Sequence, residues 1–176
     1  GSLDGYLGDE TLRILLPSEL QDVASTLRRV GLGGKVDELE VAMNRAAEQA
    51  AGEATDVFAD AIADMTIADA WSILRGQDTA ATEYFRARTS SSLTARYRPI
   101  VEARLREVGG YDDYAALVAR LESLPFVEPP ELDLVGHVTE HALDGLFTVL
   151  AVEERKIRED PVARTTRLLQ RVFGAG

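Results

Sequence analysis

Apolar residues recur at helical spacing along almost the whole chain, and that single periodicity restricts the fold more than any other feature. Val36, Leu39, Met43, Ala46, Ala47 and Ala50 stand at i, i+3, i+7, i+10, i+11 and i+14, which is one face of an α-helix. Ala54, Val57, Phe58, Ala61, Ile62 and Met65 repeat the geometry after Gly52, so the pair predicts a helical hairpin broken at that glycine. Thr66 and Asp69 have the spacing of a capping box, followed by Ile67, Ala70, Trp71 and Leu74 and a stop at Arg75-Gly76. Asp78 is the expected cap of a segment carrying Ala81, Tyr84 and Phe85. The run Ser90-Ser91-Ser92 is the expected cap of the next, with Leu93, Tyr97, Ile100, Val101, Leu105 and Val108, and Pro99 is expected to kink or divide it.

Asp112 opens a further helix through Leu117 to Leu124, which Pro125 closes before a Pro-rich connector at 126–131. The longest pattern follows Asp133 and runs to about Arg158. Asp160-Pro161 then restarts a final helix with Val162, Leu169, Val172 and Phe173 facing inward. Residues 1–17 read as an extended lead-in packed on the bundle, and Ser18 with Gln21 matches a capping box for the first helix, ending at Val30-Gly31. No segment carries period-two alternation over a useful length. The expectation is one all-α domain over 1–176, a bundle of about eight helices with no sheet, cored by Met43, Phe58, Ile62, Trp71, Phe85, Ile100, Leu117, Leu146 and Val149.

Composition narrows the chemistry. With 45% hydrophobic residues among 176, the chain can bury a core without staples. The absence of cysteine excludes disulfide scaffolds, thiol nucleophiles and iron–sulfur ligation. Thirty acidic against 19 basic residues give a net charge of -11, which opposes nucleic acid and anionic lipid. No apolar run reaches the ~20 residues needed to span a bilayer. Gly1-Ser2 reads as a cleavage scar, which leaves room for a natural leader ahead of this chain.

Few residues suggest a site. His137, His141 and Asp144 share one side of a helix, a geometry able to hold zinc, copper or nickel, but the wheel puts them on its wet half and the expectation is no metal. On the same wheel Leu134, Val138, Ala142, Gly145, Leu146, Val149 and Leu150 form the apolar half. Glu153 falls inside that half between Val149, Val152 and Ile157, with Glu154 pointing outward, so Glu153 is expected to be buried against an arginine, Arg45 or Arg164. Asp37, Val41, Asn44, Arg45 and Glu48, with Glu40 at the boundary, read as an ordinary solvated helix face, although Glu40 and Asn44 are placed to hydrogen-bond inward. The glycines at 31, 33 and 34 lack dinucleotide or P-loop spacing and serve as helix punctuation. Arg164, Arg167 and Arg171 make a modest positive stripe on the last helix.

Several stretches carry a family resemblance: Val30-Gly31-Leu32-Gly33, Val36-Asp37-Glu38-Leu39-Glu40, and Met43-Asn44-Arg45-Ala46-Ala47-Glu48. Downstream stand Ala142-Leu143-Asp144-Gly145-Leu146-Phe147, Glu153-Glu154, Lys156-Ile157-Arg158, Asp160-Pro161, Ala163-Arg164-Thr165-Thr166 and Leu168-Leu169. Together they resemble the bacterial family called domain of unknown function 4197, over nearly the whole chain. The resemblance implies an exported protein of the periplasm or envelope, since members usually carry a signal sequence, and it implies no particular reaction. Its motifs include Glu40, Asn44, Arg45, Asp144, Glu153 and Arg164, which become the candidate binding residues, and they leave out His137 and His141. Two functions remain. One is a non-catalytic module binding an apolar or amphipathic ligand or a protein partner, without cofactor or nucleic acid. The other is a carboxylate-based metalloprotein or hydrolase using Glu40, Asp144 and Glu153.

Overall fold

A computed structural model describes residues 5–29, 31, 33–123 and 132–160. Among these residues the fold is all-α, with seven helices and no strand: α1 (Ser18–Arg29), α2 (Gly33–Ala51), α3 (Ala54–Ala63), α4 (Ile67–Arg75), α5 (Ala80–Glu107), α6 (Gly110–Glu122) and α7 (Leu134–Glu159). The connector at 126–131 and the final helix expected after Asp160 lie outside the described residues.

The stripe on α2 is the centre of the molecule. Val36, Leu39, Met43, Ala46, Ala47 and Ala50 are all fully buried, and α1, α5, α6 and α7 pack around them. The four small alanines at 42, 46, 47 and 50 let neighbouring backbones come close. Leu93, Tyr97, Val101 and Leu105 of α5 and Val138, Ala142 and Phe147 of α7 complete the core. Over the described residues the lead-in is mostly turn from 5 to 12 and without regular structure from 13 to 17, and it packs on the bundle through Ile14 and Leu16, which are buried while Leu15 between them faces out. Positive φ at Gly31 (79°) and Gly109 (74°) turns the chain out of α1 and between α5 and α6, a left-handed conformation that side chains resist.

Several local expectations are met and several are corrected. The Thr66–Asp69 capping box forms in both directions, and Asp133 caps α7 by accepting from the Gly136 amide. Gly52 does separate α2 from α3, but α3 packs against α5 rather than folding back as a hairpin. Ser18 lies inside α1, bonded to Glu19, and Gln21 donates to the Leu16 carbonyl, so no capping box forms there. The serine run does not start a helix, because α5 passes through it unbroken. The Ser90 hydroxyl donates to the Arg86 carbonyl and Thr94 to that of Ser90, so these side chains bond back along the helix. Pro99 does not divide α5 either. It sits with Ala95 on the exposed side, where water can take the bond that the proline cannot donate.

The expected core is half right. Met43 and Leu117 are fully buried, and Phe58, Phe85, Ile100 and Leu146 pack against the core partly exposed. Ile62 (57% exposed), Trp71 (53%) and Val149 (44%) face solvent. α4 buries none of its residues, so its short apolar stripe is an outer face. On α7 Leu134, Val138, Ala142 and Gly145 are buried as expected, and the buried surface extends to Val135, Thr139, Leu143, Phe147 and Glu154 rather than to Val149. The helix is wedged between α2 and α5, and its buried surface includes two polar residues that a hydrophobic wheel counts as outside.

Candidate functional site

The polar side of α2 is solvated at Asp37 and Val41 but not at Glu40 and Asn44. Asn44 is completely buried: its Oδ1 accepts from the Ile14 amide at 2.8 Å, and its Nδ2 donates to the Ile14 carbonyl at 2.8 Å and the Glu40 carbonyl at 2.7 Å. One side-chain amide thus satisfies both backbone groups of a buried residue, as a neighbouring strand would. One turn earlier, Glu40 (4% exposed) takes Arg13 at 3.4 Å and Arg28 at 3.3 Å. One turn later, Glu48 accepts from the amides of Tyr6 (3.2 Å) and Leu7 (3.3 Å) and from Arg45 Nη1 (2.8 Å). Glu40, Asn44 and Glu48 therefore hold the lead-in down, with Arg45 paired to Glu48, which corrects the solvated reading at these positions. The i, i+4, i+8 spacing was visible; what it faces was not.

The lead-in is also tied to α7. The Tyr6 hydroxyl donates to the Ala142 carbonyl, and burial pushes its pKa up to about 12. Gly145 lies under the Tyr6 ring, where a Cβ would come within 2.5 Å of Cε1. His137 Nε2 is 2.9 Å from the Leu15 carbonyl, and burial holds its pKa below the ordinary value. His141 Nδ1 contacts the His137 carbonyl at 2.9 Å. Among the described residues no group of three His, Cys, Asp or Glu is placed to hold a metal ion. Glu40, Asp144 and Glu153, the carboxylates of the metalloprotein reading, each pair with a different cation on a different part of the fold.

The buried carboxylate at the end of α7 is Glu154, not Glu153. Glu153 is half exposed and accepts from Lys156 at 2.8 Å. Glu154 is 8% exposed, and its carboxylate caps the start of α5: Oε1 accepts from the Ala81 amide (2.9 Å), and Oε2 from the amide and hydroxyl of Thr82 (2.8 and 2.7 Å). Its cation is Arg158, one turn on, rather than Arg45; Arg164 lies outside the described residues. Arg158 also donates to the Ile73 carbonyl at 2.8 Å, so one ion pair joins α4, α5 and α7. Burial alone would raise the Glu154 pKa, but the bonds from Ala81, Thr82 and Arg158 outweigh it and hold the carboxyl low. Thr79 makes no side-chain cap and Asp78 is exposed, so α5 borrows its cap from another helix.

Asp144 belongs to a different place, an open cleft of about 190 Å³ between α5 and α7. Arg86, Ser90, Thr94 and Arg98, every fourth residue of α5, make one wall, and Thr139, Leu143 and Phe147 contribute to the other. Arg86 pairs with Asp144 at 3.0 Å and lies over the Phe147 ring, 4.7 Å from its centre. Arg98 pairs with Asp133 at 3.2 Å, beside the start of α7. Thr139 is 2% exposed and its hydroxyl has no hydrogen-bond partner among the described residues. A buried hydroxyl left unpaired costs about 1–3 kcal/mol, which makes it the cleft's least explained feature. Of the five candidate residues that are described, Asp144 alone borders this cleft; Thr139 was missed because a threonine on an apolar helix face gives no signal in sequence.

The chain matches no curated protein and no solved structure. The family described as "Protein of unknown function (DUF4197)" matches it over residues 1–174. Glu40, Asn44 and Gly145, which lie in the stretches that carry the resemblance, are among the residues on which the lead-in is seated against α2 and α7. By that match the chain belongs to the DUF4197 family.

Proposed function

We propose that this protein is a non-catalytic binding module of the bacterial envelope, holding a small amphipathic ligand in the cleft between α5 and α7. The observation that carries the reading is the Thr139 hydroxyl, buried and unpartnered on a residue that lines the cleft. The surrounding chemistry suits a molecule with two ends. Leu143 and Phe147 offer apolar contact, and Arg86 with Asp144 offers a paired cation and anion for a polar head. The Ser90 and Thr94 hydroxyls donate to their own helix, which leaves their oxygens free to accept. A volume of 190 Å³ has room for about six waters at ~30 Å³ each, so the ligand is small. The envelope location rests on the family resemblance.

Native mass spectrometry of freshly purified protein tests the reading. A co-purifying small molecule present in the parent and lost from Thr139→Val, which keeps the shape and removes the hydroxyl, supports it. A parent that carries only its own mass, or a ligand retained by the variant, overturns it.

A further inference from the structure

We propose that the apolar face of α4 is a docking surface for this chain's own segment 161–176. Ile67 (79% exposed), Trp71 (53%) and Leu74 (64%) stand at i, i+4 and i+7, so they share one face of a helix that buries no residue. A nine-residue helix is too short to persist on propensity alone, and its apolar face asks for a cover.

Three further observations select the cover. The first is charge. Residues 53–78, which contain α3 and α4, carry six carboxylates and a single cation, Arg75, whereas 161–176 carries Arg164, Arg167 and Arg171 and no carboxylate. The second is pattern. Val162, Leu169, Val172 and Phe173 stand at i, i+7, i+10 and i+11, an apolar stripe of helical period opposite the arginines. The third is position. Arg158 Nη2 reaches the Ile73 carbonyl at 2.8 Å, so α7 ends beside α4, and the segment begins three residues after that contact. Sixteen residues in helical form would extend about 24 Å, enough to lie along a nine-residue helix of about 13 Å. The stripe then covers Trp71 and Leu74, and the arginines, on the outer side of the segment, are attracted to the acidic stretch across about a helix diameter rather than by contact.

The composition makes the test clean, because the full chain has no cysteine and one tryptophan. Cysteines are introduced in pairs, at Ala70 or Leu74 on α4 and at Leu169, Val172 or Phe173, and the full-length protein is oxidised at low concentration. The expected result is a cross-link within one chain, at monomer mass, for at least one pair. Cross-linked dimers alone mean that a second copy covers the face, and no product from any pair means that the segment docks elsewhere; either overturns the proposal. Trp71 fluorescence supplies a second readout. Changing Arg164, Arg167 and Arg171 together to Glu should shift its emission to the red and raise its quenching by acrylamide, and unchanged emission and quenching in a folded variant also overturns the proposal.

Discussion

The side chains that matter most in this molecule are polar groups buried with full sets of partners. Asn44 satisfies both backbone groups of Ile14, so Asn44→Ala leaves a buried amide and carbonyl unpaired and should cost about 2–4 kcal/mol, measured by chemical denaturation. Glu154 behaves differently, because its worth depends on pH. Its folded-state pKa is depressed below the ordinary 4.5, so its contribution is fully present above that value and is lost as pH falls through the folded one. Acid titration of stability should therefore be shallower on that limb in Glu154→Gln than in the parent. At neutral pH Glu154→Ala removes the bonds that Arg158 makes to the carboxylate and uncaps α5, at an expected cost of about 2–4 kcal/mol. Removing Arg158 as well should cost less than the two single losses added together, since each single loss already includes the bonds the two side chains share. Thr139→Val should run the other way: with no partner lost, it should stabilise the ligand-free protein by about 0.5–1.5 kcal/mol.

Single helices show where local rules suffice. The Thr66–Asp69 box and the Asp133 cap lie within a few residues of the amides they serve, so spacing alone reveals them. α5 shows the opposite case. Its first turn is capped by a carboxylate some 70 residues away, and its interior carries three serines and a proline that ordinarily mark helix ends. The burial of Leu93, Tyr97, Val101 and Leu105 along one face outweighs those signals. Pro99→Ala restores one backbone bond on the wet side, and thermal denaturation should show a modest gain, below the ~3 kcal/mol a proline costs in a helix interior. The lead-in has no helix to hold it together and depends on α2 and α7 for its place. Limited proteolysis should accordingly cut Asn44→Ala between residues 7 and 13 faster than the parent.

Over the whole molecule, charge sets the outer behaviour and packing sets the inner one. A net charge of -11 predicts no measurable binding to duplex or single-stranded nucleic acid at micromolar protein, and salt-sensitive binding there would contradict it. No helix among the described residues is long and apolar enough to cross a membrane. The all-α class, the α2 core stripe, the breaks at Gly31 and Gly52 and the family were all legible in the residues, because each depends on chemistry repeated within one or two turns. The orientation of α7 was legible at Leu134, Val138, Ala142 and Gly145, which are buried as the wheel has them, but not toward the end of the helix. A wheel sorts the two sides of a helix by where its apolar residues gather, and it placed Glu153 inside and Glu154 outside because it cannot know that Thr82, Ala81 and Arg158 wait for a carboxylate. The same holds for Glu40 and Asn44, whose partners Arg13 and Ile14 arrive from another part of the chain, and for Trp71, whose helix faces outward. Periodicity determines that a segment is helical and has two sides. Which side is buried, and whether a buried polar group is an error or a fastening, depends on partners distant in sequence, and only the tertiary structure brings them together.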